Sequence, residues 1–102
     1  MKRAYQKEPI CRNIYDAVRV NSLPAVKACL IFGGTVDKRD SLGWTPLHHA
    51  AWYNHAEIFS YLLSQGAELS ALTRAGETPY NLAFRNRADN VISYLFELEN
   101  VA

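Results

Sequence analysis

Residues 45–69 and 78–102 are two versions of one pattern, offset by 33 positions. Thr45 matches Thr78, Pro46 matches Pro79, Ala50 matches Ala83, and Ile58-Phe59-Ser60-Tyr61-Leu62 matches Val91-Ile92-Ser93-Tyr94-Leu95, with Gly43 matching Gly76 just upstream. A weaker third copy lies another 33 residues back, over 12–36. There Ile14 stands with Leu47, Ala17 with Ala50, Asn21 with Asn54, Val26 with Phe59, Cys29 with Leu62, Leu30 with Leu63 and Gly33 with Gly66. No insertion breaks the register. A repeat of this length confines the fold to stacked supersecondary units, because one unit cannot bury its apolar face alone. Residues 1–11 precede the pattern and read as a basic tail. Residues 12–102 read as one domain of three repeats, about 12–39, 40–72 and 73–102.

Each copy reads as two short helices. Thr45 is suited to cap a helix, since its hydroxyl can accept a bond from an orphan amide of the first turn. Pro46 follows at the first helical position, where a missing N–H costs nothing. The spacing predicts a first helix from about Pro46 to Tyr53, with Leu47, Ala50 and Ala51 on one face. Asn54 tolerates the left-handed conformation that ends a helix. A second helix is predicted from about Ala56 to Gln65, where Ile58, Phe59, Leu62 and Leu63 form an apolar stripe of helical period. Gly66 ends it. The small Ala50 and Ala51 let paired helices approach closely. Turn-rich links, Asp40-Ser41-Leu42-Gly43 and Thr73-Arg74-Ala75-Gly76, join the copies.

These residues resemble the ankyrin repeat. The period of 33 and the signature T-P-L-H-x-A, here Thr45-Pro46-Leu47-His48-His49-Ala50, carry the resemblance. Asp40, Gly43, Asn54-His55, Leu62-Leu63 and Gly66-Ala67 extend it, over about residues 12–102. It implies an all-α repeat solenoid of helix-turn-helix pairs joined by short β-hairpin loops. The first copy departs from the pattern with Arg12-Asn13-Ile14-Tyr15 in place of T-P-L-H. The third departs with Tyr80-Asn81 in place of Leu-His and Glu99-Asn100 in place of the closing Gly-Ala. Terminal repeats of a solenoid turn one face to water, so these copies read as caps around one full repeat.

Composition adds exclusions. Of 102 residues, 49% are hydrophobic and 21% charged, the balance of an ordinary folded domain and not of a disordered chain. The net charge of +1 argues against a nucleic-acid or membrane-surface protein. Charge is nevertheless polarised, with a net +3 over residues 1–12 and −3 over residues 89–102. No apolar run approaches a membrane span, and the first residues lack the apolar stretch of a secretory signal. An intracellular, cytoplasmic protein is expected, with the nucleus and export as an effector left open as alternatives. Cys11 and Cys29 are too few for a disulfide scaffold and read as free thiols in a reducing compartment, Cys29 at a core position. Cys11 lies near the start of the first helix, with no His in that segment to make it catalytic.

No constellation for catalysis is present, and neither a cofactor nor a metal is expected. The chain lacks CxxC, HExxH, GxGxxG, a phosphate-binding loop and GxSxG. His48, His49 and His55 are the only histidines. The first two are adjacent on a helix and point about 100° apart, unsuited to one metal. The resemblance gives His48 a structural role in hydrogen bonding within and between repeats. It places His49 near the concave surface.

Ankyrin repeats generally bind proteins through hairpin tips and the inner helices. Carried over by position, the resemblance assigns Ser41, Leu42 and Trp44 to one tip and Trp52 and Tyr53 to the end of an inner helix. The next repeat contributes Arg74, Ala75, Glu77, Arg85 and Asn86, and the first contributes Arg19, Val20 and Arg39. Trp, Tyr and Arg dominate interface energetics. Two readings stand for the tryptophans: a partner covers them, or they pack on each other and on the adjacent turn. Tyr61 and Tyr94 are expected to pack between repeats. The expected function is a small adaptor or inhibitor that binds another protein and has no small-molecule substrate. The alternative is a module that associates end to end, with Phe96 and Leu98 as an incompletely covered cap and the opposed charges of the two ends in support.

Overall fold

The computed structural model describes residues 13–101. The basic segment 1–11, with Cys11, lies outside the described residues. Six helices follow in three pairs: α1 Ile14–Arg19 and α2 Leu23–Ile31, α3 Pro46–Trp52 and α4 Ala56–Ser64, α5 Pro79–Arg85 and α6 Asp89–Val101. The first helices of the pairs, α1, α3 and α5, pack side by side, and α2, α4 and α6 form a second row against them. The expected pairs of short helices are thus present, and α3 and α4 end within one residue of the bounds expected for the second repeat. No strand forms among the described residues. The hairpin-like links are tight turns, closed by Asp40 N–H to Trp44 O at 3.0 Å and Thr73 N–H to Glu77 O at 2.9 Å.

Local chemistry fixes the helix starts. The Thr45 hydroxyl accepts from His48 N–H at 3.3 Å, while Thr45 N–H donates to His48 Nδ1 at 3.0 Å. This is a reciprocal capping box with an imidazole in place of the usual carboxylate or amide. Thr78 and Asn81 repeat it at 3.1 and 3.0 Å, so the substitution of Asn for His in the third copy preserves the cap. Asn13 and Ser22 cap α1 and α2 through their side-chain oxygens. Gly43 is required by contact as well as conformation. Its φ is +78°, and a Cβ there would sit 2.8 Å from the backbone nitrogen of Arg74 in the next turn.

The core is shared between repeats. Val18, Val26, Leu47, Ala50, Ala51, Ile58, Phe59, Leu62, Ala83 and Val91 are fully buried in one continuous cluster. Burying a side chain such as Phe59 contributes about 1.5–3 kcal/mol. Ala50, Ala51 and Ala83 bring α3 and α5 together without intervening bulk. Tyr94 sits edge-on to Phe59 at 6.1 Å, and Lys27 lies over the Tyr61 ring at 5.3 Å, so both tyrosines face a neighbouring repeat as expected. Cys29 is buried as its register implies, but it is disulfide-bonded, which corrects the free-thiol reading. The reason is plain: register sets burial, whereas a disulfide depends on what the fold brings near the sulfur.

Among the described residues, three other than glycine adopt left-handed backbone at equivalent helix ends: Asn21 at φ 61°, Asn54 at 62° and Arg87 at 55°. Asparagine tolerates this region and arginine does not. Asn54 also works across the repeat boundary, its Oδ1 accepting from Asn90 and Val91 N–H at 2.9 and 3.2 Å and so capping α6. Replacing Arg87 by Gly should therefore raise the unfolding free energy by about 0.5–1 kcal/mol, whereas Asn54→Gly should lower it by about 1 kcal/mol. Urea midpoints at unchanged m-value check both signs.

Candidate functional site

A line of rings and charges crosses all three repeats along the row of first helices. It begins on α1 with Tyr15, whose ring lies 5.1 Å from that of His49 on α3. His49 is 5.1 Å from Trp44 in the preceding turn, and Trp44 meets Trp52 edge-on at 5.7 Å. The Arg85 guanidinium from α5 lies 5.7 Å from the centre of the Trp52 ring and pairs with the Glu77 carboxylate. The helical spacing of His49 and Trp52 places both on the face toward the turn that carries Trp44. Asn86 Nδ2 adds a bond to the Trp52 carbonyl at 2.6 Å.

Both tryptophans are half-buried. They pack on each other, as one reading had it, Trp44 also packs on His49, and both keep part of each ring in solvent. An indole pair held edge to face is rigid, which limits the entropy lost when a second surface covers it.

The remaining expected residues divide. Ser41 and Leu42 are exposed at the turn tip, but their carbonyls are engaged by the next turn: Arg74 Nη1 donates to Ser41 O at 2.9 Å and Arg74 N–H to Leu42 O at 3.0 Å. Arg39 donates to the carbonyls of Gly43 and Leu72. These two arginines tie successive turns together. Tyr53 is exposed and stacks on His55 at 6.1 Å, apart from the indole line. Arg19 is exposed on α1 and pairs with Asp16 at 3.2 Å, while its carbonyl accepts from His55 Nε2 at 3.1 Å. The structure thus brings together Trp44, Trp52, His49, Glu77, Arg85 and Asn86, and gives Arg39, Arg74, Ser41 and Leu42 to the link between turns.

Two members were not among the expected site residues. Tyr15 occupies in the first repeat the position of His48, and its hydroxyl is buried without a hydrogen-bond partner. Burial raises its pKa, and the Asp40 carboxylate adds to the effect. Asp40 accepts from His49 Nε2 at 2.8 Å and from the amides of Trp44 and Leu42 at 2.9 Å each. Burial alone would push its carboxyl up, but these bonds outweigh it and hold the pKa below the usual value. The sequence signal for Tyr15 was its register: an aromatic ring in place of a buried imidazole. Among the described residues, no group of three or more His, Cys, Asp or Glu is arranged to hold a metal ion, and no helix is long and apolar enough to cross a membrane.

Beneath the line, His48 is fully buried. Since Thr45 N–H donates to Nδ1, that nitrogen is unprotonated and the proton sits on Nε2, which donates to the Glu77 carbonyl at 2.9 Å. A second proton on Nδ1 would face a backbone N–H. Burial lowers the His48 pKa, partly offset by the bond to Glu77 and reinforced by the Arg39 charge. The unfolded chain, with a value near ~6.5, takes up the proton first. The stability that neutral His48 contributes is therefore complete above about pH 6.5 and declines as pH falls through that value. Urea midpoints measured from about pH 7.5 to about pH 5 should fall. In His48→Asn, which keeps a capping side chain, the decline should be shallower, from a starting stability about 1–3 kcal/mol lower.

Comparison with known proteins agrees with this architecture. A family model described as ankyrin repeats, in three copies, matches residues 14–101. The chain is 36% identical over 69 residues to human "Protein phosphatase 1 regulatory subunit 27", covering 68% of this chain and 45% of that protein. It is 32% identical over 78 residues to mouse "Ankyrin repeat domain-containing protein 40", covering 76% of this chain and 22% of that one. It is 37% identical over 79 residues to "Calmodulin-binding transcription activator 3" of Arabidopsis thaliana, covering 72% and 8%. The chain thus spans less than half the length of each of these curated relatives.

Proposed function

The chain belongs to the ankyrin repeat family, and on that premise we propose that it is a non-enzymatic adaptor or inhibitor that grips a protein partner along the Trp44–Trp52–Arg85 line. Ankyrin repeats generally mediate protein–protein interaction. A relative named as a regulatory subunit supports a role exercised by binding. The observation that carries the reading is the half-burial of two packed indoles beneath an exposed guanidinium. Indole edges offer apolar area already fixed in place. The Arg85 side chain, 57% exposed, offers donors to a carboxylate or backbone carbonyl of the partner. Its ion pair with Glu77 orients it at little entropic cost to the complex. Glu77 is paired with Arg85 and Asp40 accepts from the His49 ring, so the line presents no unpaired carboxylate and suits a partner segment that is apolar with acceptors at its edge.

Capture with the whole chain as bait tests this. Trp52→Ala combined with Arg85→Ala should weaken binding of the captured partner at least about tenfold, since such anchors often contribute about 2 kcal/mol or more. Helical circular dichroism should persist. Capture undiminished in the folded variant rejects the line as the binding surface.

A further inference from the structure

The 33-residue register puts Arg19, Trp52 and Arg85 at one equivalent position of three successive repeats. Each ends a first helix: α1 ends at Arg19, α3 at Trp52 and α5 at Arg85. Those helices lie side by side, and packed helices sit about 8–10 Å apart. The row therefore reads cation, indole, cation at near-equal intervals. The Arg85 guanidinium lies over the Trp52 ring, and Arg19 stands at the same helix position on the other side of α3. Both arginines are exposed, 52% for Arg19 and 57% for Arg85. Each meets one carboxylate oxygen through one nitrogen, that of Asp16 for Arg19 and of Glu77 for Arg85. A guanidinium has five N–H donors, so each keeps an unused edge. Exposed ion pairs of this kind contribute little to stability. Asp40, the other carboxylate along the line, accepts from His49 and two amides. Among the described residues, no acceptor meets either indole N–H.

This order and spacing select a partner backbone. We infer that the line receives an extended segment of a protein partner in polyproline II conformation, with acidic, apolar and acidic side chains at every third position. The inference rests on the reading of the line as a binding surface and adds the chemistry of what it binds. A polyproline II helix has three residues per turn and rises about 3.1 Å per residue, so positions i, i+3 and i+6 share one face at intervals of about 9.3 Å. That interval matches the row of helix ends. The outer side chains bring carboxylates to the unused guanidinium edges of Arg19 and Arg85, a charge-assisted contact. The central side chain covers the part of Trp52 left in solvent. Such a segment makes no internal hydrogen bonds, so its carbonyls are available to the indole N–H donors. A β-strand turns alternate side chains to opposite faces, which sets i+3 away from i. An α-helix needs seven residues for a similar interval, about 10.5 Å, and its carbonyls are bonded internally. The polyproline form alone satisfies both the spacing and the free donors.

Synthetic nine-residue peptides on a proline-rich scaffold test this with the full chain, read by tryptophan fluorescence and calorimetry. The probe carries glutamate at its second and eighth positions and leucine at its fifth. It should bind at least about tenfold more tightly than a peptide of the same composition with the glutamates at the third and seventh positions, and than one with lysines in their place. Its affinity should fall several-fold in about 0.3 M salt as the charges are screened. Arg19→Gln combined with Arg85→Gln should abolish the preference with circular dichroism unchanged, and should leave the weaker binding of a glutamine-for-glutamate peptide as it was. Equal binding of the in-register and shifted peptides overturns the inference. So does no binding of the probe at about 1 mM, or tighter binding of a helical peptide that sets the same three side chains seven residues apart. The reading of the line as a binding surface fails by a different result, undiminished partner capture by the folded Trp52→Ala, Arg85→Ala variant.

Discussion

The His48 ring ties the packing of the repeats to the line of rings that lies above it. One nitrogen closes the cap of its own helix and the other reaches the Glu77 carbonyl in the turn before α5. A buried polar ring costs stability unless both nitrogens are satisfied, so this geometry admits little slippage between the second and third repeats. With the Glu77 backbone fixed, its side chain meets Arg85, and Arg85 comes to lie over Trp52. The exposed Arg85 cation is thus positioned by an interaction that lies beneath it. The same linkage makes the surface sensitive to acid, since the proton that disrupts the cap also removes the acceptor at Nδ1.

Much of this was legible in the sequence because it rests on local chemistry. Thr45, Pro46, Asn54 and the Ile58–Leu63 stripe act within a few residues of themselves, and the period of 33 multiplied the signal. The tasks of the arginines were not legible. Arg39 and Arg74 donate to carbonyls of residues 33 positions away, and every residue carries a carbonyl, so no residue type announces the partner. Asn54 was read correctly as a helix end, yet its second task, capping α6, depends on how two repeats are seated. The disulfide of Cys29 was misread for a similar reason, since two cysteines in a short chain carry no signal of proximity.

The two readings of the tryptophans turn out to describe two faces of the same rings. Trp44 packs on His49 and Trp52, and the pair still keeps area in solvent. Internal packing of this kind does not compete with recognition. A free indole on a mobile turn would lose rotamer freedom on binding, whereas these are already ordered by the fold. Tyr15 and Asp40 extend the support outward by holding His49 from both sides. Substitution at Asp40 would therefore act on the line through His49 and the turn amides, without any contact to a partner.

The third repeat departs from the physical demands of a cap. A cap needs only to stop the stack, and polar side chains at positions 80, 84 and 96 would do so at no cost in solubility. The chain carries Tyr, Phe and Phe there, on a helix pair whose own helix end, Arg87, sits in a backbone conformation arginine tolerates poorly. Strain and exposed apolar area are both unfavourable in an isolated molecule. Both fall in the third repeat, and neither feature is required by the register that the first two repeats establish. Phe84 stands in the register of Val18 and Ala51, which are fully buried, and Phe96 in that of Leu63, which is half-buried.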